Sequence, residues 1–239
     1  MALADNLRAV HARVANAARA CGRDPHTITV LAVSKTFDHM AVKEAMQTGQ
    51  RDFGENYLQE ALDKQKALAR PELIWHFIGP IQSNKTKGIA ENFAWVHSLD
   101  RLKIAERLSA QRPATAPPLN VCIEVNVSGE ASKSGVAPEA LASIVDAVGL
   151  LPRLKLRGLM AIPAPTADPV QQRAAFRRVR ELFDGLTRRG CPLDTLSMGM
   201  SSDLEAAIAE GATLVRIGTA IFGLRNKLVH NQTGLGPEG

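Results

Sequence analysis

The strongest constraint on this chain is a regular alternation of strand-like and helix-like segments along almost its whole length. Eight short apolar segments rich in β-branched residues are typical of strands, at 28–34, 51–55, 73–79, 94–99, 120–127, 155–162, 195–199 and 213–218. Segments with helical periodicity separate them, at 38–48, 56–69, 82–91, 100–111, 138–149, 169–189 and 203–210. Such alternation implies parallel strands joined by right-handed crossovers, and eight units favour a closed barrel over an open sheet.

A single barrel accounts for the whole chain. A length of 239 residues permits either one large α/β barrel or two small domains, and no change in composition marks a second domain. An apolar stripe over residues 3–14 predicts an additional helix before the first strand. We therefore predict one α/β domain over residues 1–239, a TIM-type (β/α)8 barrel with an extra N-terminal helix, whose barrel proper covers about 28–223.

The composition argues against several functional classes. The formal net charge is +5, but basic and acidic residues are interspersed and only one Tyr and two Trp are available for base stacking, so we expect no nucleic-acid binding. The N-terminal segment is interrupted by charges, unlike a signal peptide, and no apolar run approaches the length that spans a membrane. We expect a cytoplasmic protein without membrane attachment, and a monomer, although no sequence feature bears directly on the oligomeric state.

The cysteines indicate neither a disulfide framework nor a metal site. Cys21, Cys122 and Cys191 are odd in number, far apart, and lack CxxC or HxxxH spacing. Reactive groups are expected instead at the carboxyl-terminal ends of the strands, where barrels of this type place their sites.

The first strand ends in AVSK, which brings Lys35 to that edge of the barrel. An amine in such a position can act as a nucleophile and form a Schiff base with an aldehyde. A lysine that binds phosphate through its charge alone is the alternative.

The turns after strands 7 and 8 carry groups suited to a phosphate, because barrel loops at these positions often bind one through hydroxyls and backbone N–H groups. The candidates are Ser201, Ser202, Gly218 and Thr219. Met198, near the end of strand 7, is a further candidate for cofactor binding. Capping of the next helix by Ser202 or Asp203 is a compatible interpretation. Since closure of the barrel places strand 8 beside strand 1, this turn and Lys35 should be neighbours.

Arg216 lies two residues before Gly218 and is predicted to point inward, where a guanidinium needs an anion or another acceptor. A pyridine nitrogen can be that acceptor. Because guanidinium keeps its proton, the ring nitrogen would stay unprotonated and the ring would be a weak electron sink.

Further candidates follow strands 2, 3 and 5. Asn56 offers a neutral hydrogen-bonding group, and Tyr57 is the only phenol in the chain. His76 faces away from its aromatic neighbours by strand alternation, and is either a cofactor contact or a core histidine with satisfied hydrogen bonds. Lys133 lies in a Gly/Ser-rich loop long enough to act as a lid, although a solvated lysine is the plainer interpretation.

Six ordered motifs resemble those of the YggS/PROSC family of pyridoxal phosphate homeostasis proteins: AVSK, FGENYLQE, WHFIGPIQSNK, SKSG, LSMGMSSDLEAAI and VRIGTAIFG. The resemblance spans about 28–223 and implies a fold-type III barrel, similar to the N-terminal domain of alanine racemase, that carries pyridoxal 5′-phosphate (PLP) on Lys35. By the same resemblance the phosphate is held by residues after strands 7 and 8, the ring nitrogen faces Arg216, and Asn56 lies near the ring. The phosphate residues so implied are Ser201, Gly218 and Thr219. Phe37 departs from the family, which commonly has a lysine there.

The resemblance implies a protein that buffers PLP and delivers it to PLP-dependent apoenzymes without substantial turnover of its own. The short distance from the eighth strand to the last residue supports this expectation, because racemases of this fold resemble a barrel followed by a β-domain that supplies a catalytic tyrosine. A PLP-dependent amino-acid racemase or lyase of low activity is one alternative. A barrel aldolase that forms an imine with a sugar phosphate, without PLP, is another.

Overall fold

The computed structural model describes residues 2–128 and 134–224. Eight parallel strands close into a barrel in sequential order: β1 (Thr29–Val33), β2 (Asp52–Glu55), β3 (Ile74–Phe77), β4 (Trp95–Leu99), β5 (Leu119–Glu124), β6 (Leu154–Met160), β7 (Thr195–Ser197) and β8 (Leu214–Ile217). All eight strands fall within the segments predicted from the sequence, apart from one-residue extensions at the starts of β5 and β6. The fold class predicted from strand-helix alternation is confirmed.

Helices separate the strands as the periodicity predicts. They are α1 (Leu3–Ala20), α2 (His39–Gln47), α3 (Leu58–Leu68), α4 (Thr86–Asn92), α5 (Leu102–Gln111), α6 (Leu141–Gly149), α7 (Pro169–Arg188), α8 (Leu204–Ala209) and α9 (Thr219–Phe222). Two helices begin later than predicted because a 3-10 turn precedes each, at Ser83–Lys85 and at Pro138–Ala140. The short α9, directly after β8, was not predicted, since four residues carry no periodic pattern.

Helix α1 packs on the outside of the barrel next to the point where its first and last strands meet. Its apolar face buries Leu7, Val10 and Val14, and the helix contacts α2, α8 and α9. Arg13 donates two hydrogen bonds to the Glu205 carboxylate of α8, at 2.5 and 2.8 Å. The N-terminal helix therefore supports the elements that follow β7 and β8.

The pairing of β1 with β8 closes the barrel. Leu31 lies beside Arg216 and Ala32 beside Ile217 in this ladder. The closure brings the residues that follow β1 next to those that follow β8, as the sequence predicted for Lys35.

The space between strands and helices is mainly apolar, with Glu55 and Lys64 as a buried ion pair, whereas the inside of the barrel is partly polar. His76, His97, Ser197 and Arg216 are all buried, each with 5% or less of its surface exposed. His97 on β4 contacts Ser197 on β7 across the interior, since these strands are not neighbours. Within the described residues, no helix is both long and apolar enough to cross a membrane.

Candidate functional site

A cavity of about 380 Å³ opens at the carboxyl-terminal ends of the strands. Its lining includes seven residues that the sequence analysis selected: Lys35, Asn56, Ser201, Ser202, Arg216, Gly218 and Thr219. They come from loops after β1, β2, β7 and β8 and from β8 itself. The volume lies in the range of small-molecule sites, which are about 300–1,000 Å³. Among these seven residues the separation along the chain reaches 184 positions, from Lys35 to Thr219.

The backbone on both sides of Lys35 is held by hydrogen bonds. Before it, the Ser34 hydroxyl donates to Glu55 Oε1 at 2.6 Å and the Ser34 carbonyl accepts from Lys64 Nζ at 2.8 Å. After it, the Thr36 N–H donates to Glu60 Oε1 at 2.6 Å. Thr36 has φ of 68°, a left-handed conformation that is costly for a β-branched residue. These contacts fix the turn that presents Lys35.

Lys64 is the centre of this buried network. Its side chain is 4% exposed, and Nζ lies 2.7 Å from Glu55 Oε1 and 2.6 Å from Glu60 Oε1. Burial raises the pKa of Glu55, an effect that Lys64 and Ser34 oppose. This network was not predicted from the sequence. The only available signal was the i,i+4 spacing of Glu60 and Lys64 on α3, which is also the spacing of ordinary exposed helix pairs.

The turn between β7 and α8 presents Ser201 and Ser202 to the cavity. Gly199 has φ of 94°, and a Cβ at this position would lie 2.5 Å from Ala207 Cβ, so only glycine fits. The Met200 N–H donates to Asp203 Oδ1 at 2.6 Å, which closes the turn. The prediction that Ser202 or Asp203 caps the next helix is wrong. Asp203 directly precedes α8, but its carboxylate bonds within the turn, and neither side chain caps the helix.

The turn after β8 supplies Gly218 and Thr219, with Thr219 opening α9. The first N–H groups of a helix have no partner within it and remain available to an acceptor. Phe37 also lines the cavity, and its ring stacks on Phe222 of α9 with 5.0 Å between centroids. This contact joins the loop after β1 to the helix that carries Thr219.

Arg216 forms part of the buried wall of the cavity. Nη1 donates to the Ser197 carbonyl at 2.5 Å and to Ser197 Oγ at 2.8 Å, and Nη2 donates to the Ala161 carbonyl at 2.9 Å. Burial lowers the pKa of Arg216 to about 10, which still leaves the guanidinium charged at neutral pH. The inward orientation predicted from its position is therefore observed.

Asn56 lines the cavity and carries an unsatisfied polar atom. Its Oδ1 is buried and has no hydrogen-bond partner among the residues the structure describes. The loop that carries it approaches Gly79 so closely that a Cβ there would lie 2.4 Å from the Asn56 carbonyl oxygen. Because an unpaired buried polar atom is costly, a ligand that bonds to Asn56 would be favoured.

Three of the selected residues are not brought to this cavity. His76 is buried towards the opposite end of the barrel, where it is hydrogen-bonded to Asp52 and His97. The prediction that His76 contacts the cofactor is therefore wrong, and His76 is a core histidine with satisfied hydrogen bonds. Met198 is fully buried in the core, and Met200 lines the cavity instead. Tyr57 is 57% exposed and does not line the cavity. Lys133 lies outside the described residues.

Comparisons with known proteins agree with this site. Residues 5–226 match the model of the family described as alanine racemase, N-terminal domain. The chain is 66% identical over 224 residues to a pyridoxal phosphate homeostasis protein of Pseudomonas aeruginosa, a match that covers 94% of this chain and 96% of that protein.

Two solved structures share this fold. PipY of Synechococcus elongatus, solved with PLP bound, has a TM-score of 0.81 and 35% identity, and the match covers 92% of this chain and all of that one (100%). Alanine racemase of Corynebacterium glutamicum has a TM-score of 0.68 and 18% identity, and the match covers 96% of this chain and 63% of that one. This likeness shows a shared barrel fold. The chain belongs to the pyridoxal phosphate homeostasis protein family, within the larger family of the alanine racemase N-terminal domain.

Proposed function

We propose that this protein binds PLP in the carboxyl-terminal cavity, holds it covalently through Lys35, and serves to buffer the cofactor and deliver it to PLP-dependent apoenzymes. The observation that carries the proposal is the convergence of a lysine, a buried arginine, an unpaired asparagine oxygen and two hydroxyl-bearing turns on one cavity. The relatives named as pyridoxal phosphate homeostasis proteins and the PLP-bound PipY structure support it.

The groups around the cavity fit the separate parts of the cofactor. The hydroxyls of Ser201, Ser202 and Thr219, with the N–H groups at the start of α9, suit a phosphate. Lys35 lies beside them because β1 and β8 are paired. When bound, PLP supplies an aldehyde that reacts with amines and a pyridine ring that withdraws electrons.

Arg216 is the group that would face the ring nitrogen. Its guanidinium can only donate, and a pKa of about 10 keeps it protonated at neutral pH. A donor that does not release its proton leaves the ring nitrogen unprotonated and restricts the electron withdrawal of the ring. This environment suits the holding of a cofactor better than the stabilisation of carbanions.

We propose that the protein acts without substantial catalytic turnover. Tyr57, the only tyrosine in the chain, projects into solvent at the start of α3 and not into the cavity, so it is poorly placed to act as a base. Transfer of the cofactor to an apoenzyme requires an accessible site, and Lys35 is partly exposed.

A PLP-dependent amino-acid racemase of low activity is the second candidate, favoured by the barrel shared with alanine racemase. Loss of optical activity of several L-amino acids would be followed over time with the PLP-loaded protein. Turnover well above that of free PLP, abolished by Lys35→Ala, would replace the carrier function with this one.

The carrier function is tested by transfer. The PLP-loaded protein is mixed with an apoenzyme, and recovery of apoenzyme activity is compared with that produced by free PLP at equal concentration. We expect recovery with the wild-type protein and with Lys43→Ala, a control at an exposed lysine of α2. A loaded protein that retains its PLP while the apoenzyme stays inactive would refute delivery.

We further propose that the protein is cytoplasmic and monomeric. Cys21, Cys122 and Cys191 are free thiols, which agrees with a reducing compartment. Sedimentation analysis of the purified protein at micromolar concentration tests the monomer, and a dimer mass would refute it.

A further inference from the structure

The barrel interior contains a chain of hydrogen bonds that leads away from Arg216 to the opposite end of the barrel. Arg216 Nη1 lies 2.8 Å from Ser197 Oγ, and Ser197 Oγ lies 2.7 Å from His97 Nδ1. His97 Nε2 lies 2.9 Å from His76 Nδ1, and His76 Nε2 lies 3.0 Å from Asp52 Oδ1. Four consecutive bonds thus connect the carboxyl-terminal cavity with a second cavity of about 180 Å³ lined by Asp52 and His76.

The carboxylate of Asp52 sets the direction of these bonds, and the guanidinium at the other end is compatible with that direction. Arg216 can only donate, so Ser197 Oγ accepts from it and its own proton is free for His97 Nδ1. An ionised Asp52 can only accept, so His76 donates from Nε2 and its Nδ1 accepts from His97. With neutral rings, an ionised Asp52 gives an arrangement in which His76 and His97 both carry their protons on Nε2, and the Arg216 end is compatible with it.

The surroundings of the two histidines agree with this arrangement. Both rings are buried, and burial lowers the pKa of each. Protonation of His76 would place an N–H at Nδ1 against the N–H at His97 Nε2, and protonation of His97 would place an N–H at Nδ1 against the hydroxyl proton of Ser197. The ring of His76 stacks on Trp95 with 5.4 Å between centroids, which restricts its rotation.

We infer that Asp52, His76 and His97 are positioning residues for Arg216. They act through a relay, a chain of hydrogen bonds that all point from Arg216 towards Asp52. The relay keeps Ser197 Oγ an acceptor and thereby orients the guanidinium towards the carboxyl-terminal cavity. This inference rests on the proposed function for the role of Arg216 towards PLP. The direction of the relay does not depend on any ligand. Hydrogen bonds in such a chain polarise one another, so the carboxylate at one end strengthens the acceptor at the other.

The test uses the full-length protein labelled with ¹⁵N, first without PLP. Long-range ¹H–¹⁵N spectra report the tautomer of each histidine, and the signals are assigned by their loss in His76→Gln and His97→Gln. We expect the Nε2–H tautomer for both residues at neutral pH. Either ring as the Nδ1–H tautomer or as imidazolium would overturn the relay.

Two variants of Asp52 separate positioning from structural support. Asp52→Asn keeps an acceptor and should preserve both tautomers and the Arg216 Nε–H signal. Asp52→Ala removes the acceptor and should give mixed tautomers at His76 and a shifted Arg216 signal. Asp194→Ala, which removes a carboxylate from the same small cavity outside the relay, is the matched control and should leave these signals unchanged.

The same variants are then loaded with PLP. Asp52→Ala should bind PLP about 2- to 10-fold more weakly, as expected for the weakening of one buried hydrogen bond. It should also shift the visible absorption band of the bound cofactor. The affinity of Asp52→Asn for PLP should stay within about twofold of the wild-type value. Unchanged Arg216 signals, affinity and band in Asp52→Ala would overturn the positioning role. If the wild-type protein takes up no PLP, the proposed function fails, and the tautomers and Arg216 signal still decide the relay.

Discussion

The two ends of the barrel are built from the same eight strands but treat their polar groups differently. At the amino-terminal end, a cavity of about 180 Å³ is lined by charged groups that pair with one another, such as Arg157 with Asp194 at 2.8 Å. At the carboxyl-terminal end, the larger cavity of about 380 Å³ includes a buried oxygen of Asn56 that lacks a partner among the described residues. The two ends therefore differ in how far the polar groups around each cavity are paired with one another.

The network behind Lys35 should give the largest effect when broken. Lys64→Met removes the buried cation and leaves Glu55 and Glu60 uncompensated, so we expect a loss of about 3–5 kcal/mol in the free energy of unfolding. Lys66→Met, at an exposed lysine of the same helix, is the matched control. Urea unfolding followed by circular dichroism measures both, and equal stability of the two variants would show that the network does not support this end of the barrel.

The hydroxyl of Thr219 tests whether the larger cavity binds phosphate through side chains. Thr219 is exposed in the structure. Thr219→Val keeps the shape and removes the hydroxyl, so PLP binding should weaken by about 1.5–3 kcal/mol if the hydroxyl donates to the charged phosphate. Equilibrium titration followed by absorbance gives the affinity. An unchanged affinity would restrict phosphate recognition to the backbone.

The stacked pair Phe37 and Phe222 tests the wall of the same cavity. Phe37→Lys removes the ring and introduces the lysine that the family resemblance implies here, and loss of the aromatic contact should cost about 0.5–1.5 kcal/mol of stability. Thermal unfolding of the ligand-free protein measures this cost. A variant as stable as the wild type would show that the stacking does not join the two loops.

The smallest effect is expected at the amino-terminal end, from Asp194. Burial alone would raise the pKa of Asp194, but hydrogen bonds from Arg157 and Thr195 outweigh it and hold the pKa below its ordinary value. A carboxyl with a lowered folded-state pKa stabilises the fold above its unfolded pKa, and this contribution is lost as the pH falls through the folded pKa.

Asp194→Asn should therefore be slightly less stable than the wild type at pH 7, with the difference shrinking below about pH 4. Urea unfolding at pH 7 and pH 3 measures it. A difference that grows towards acid pH would contradict the assigned direction of the shift.

The fold was largely predictable because its signals are local. Strand and helix periodicities lie within single segments, and the order of eight strands limits the topology to a barrel. Lys35, Arg216 and the turns at Ser201 and Thr219 were also predictable, since the carboxyl-terminal strand ends of a barrel converge.

Partners across the barrel were not predictable from the sequence. His76 bonds to His97 and Asp52, on strands 21 and 24 residues away, and no local pattern distinguishes this arrangement from a ring that faces a ligand. The Glu60–Lys64 pair has the spacing of an exposed helix pair, yet Lys64 is buried because α3 packs over the Ser34 carbonyl. Burial of these groups is a property of packing between elements.

Covalent attachment of the cofactor to Lys35 is tested by reduction. The PLP-loaded wild-type protein is treated with borohydride, digested and analysed by mass spectrometry. We predict a pyridoxyl group on Lys35, and none on any peptide of Lys35→Ala treated in the same way. A label on another lysine, or bound PLP that borohydride does not fix to the protein, would contradict attachment at Lys35.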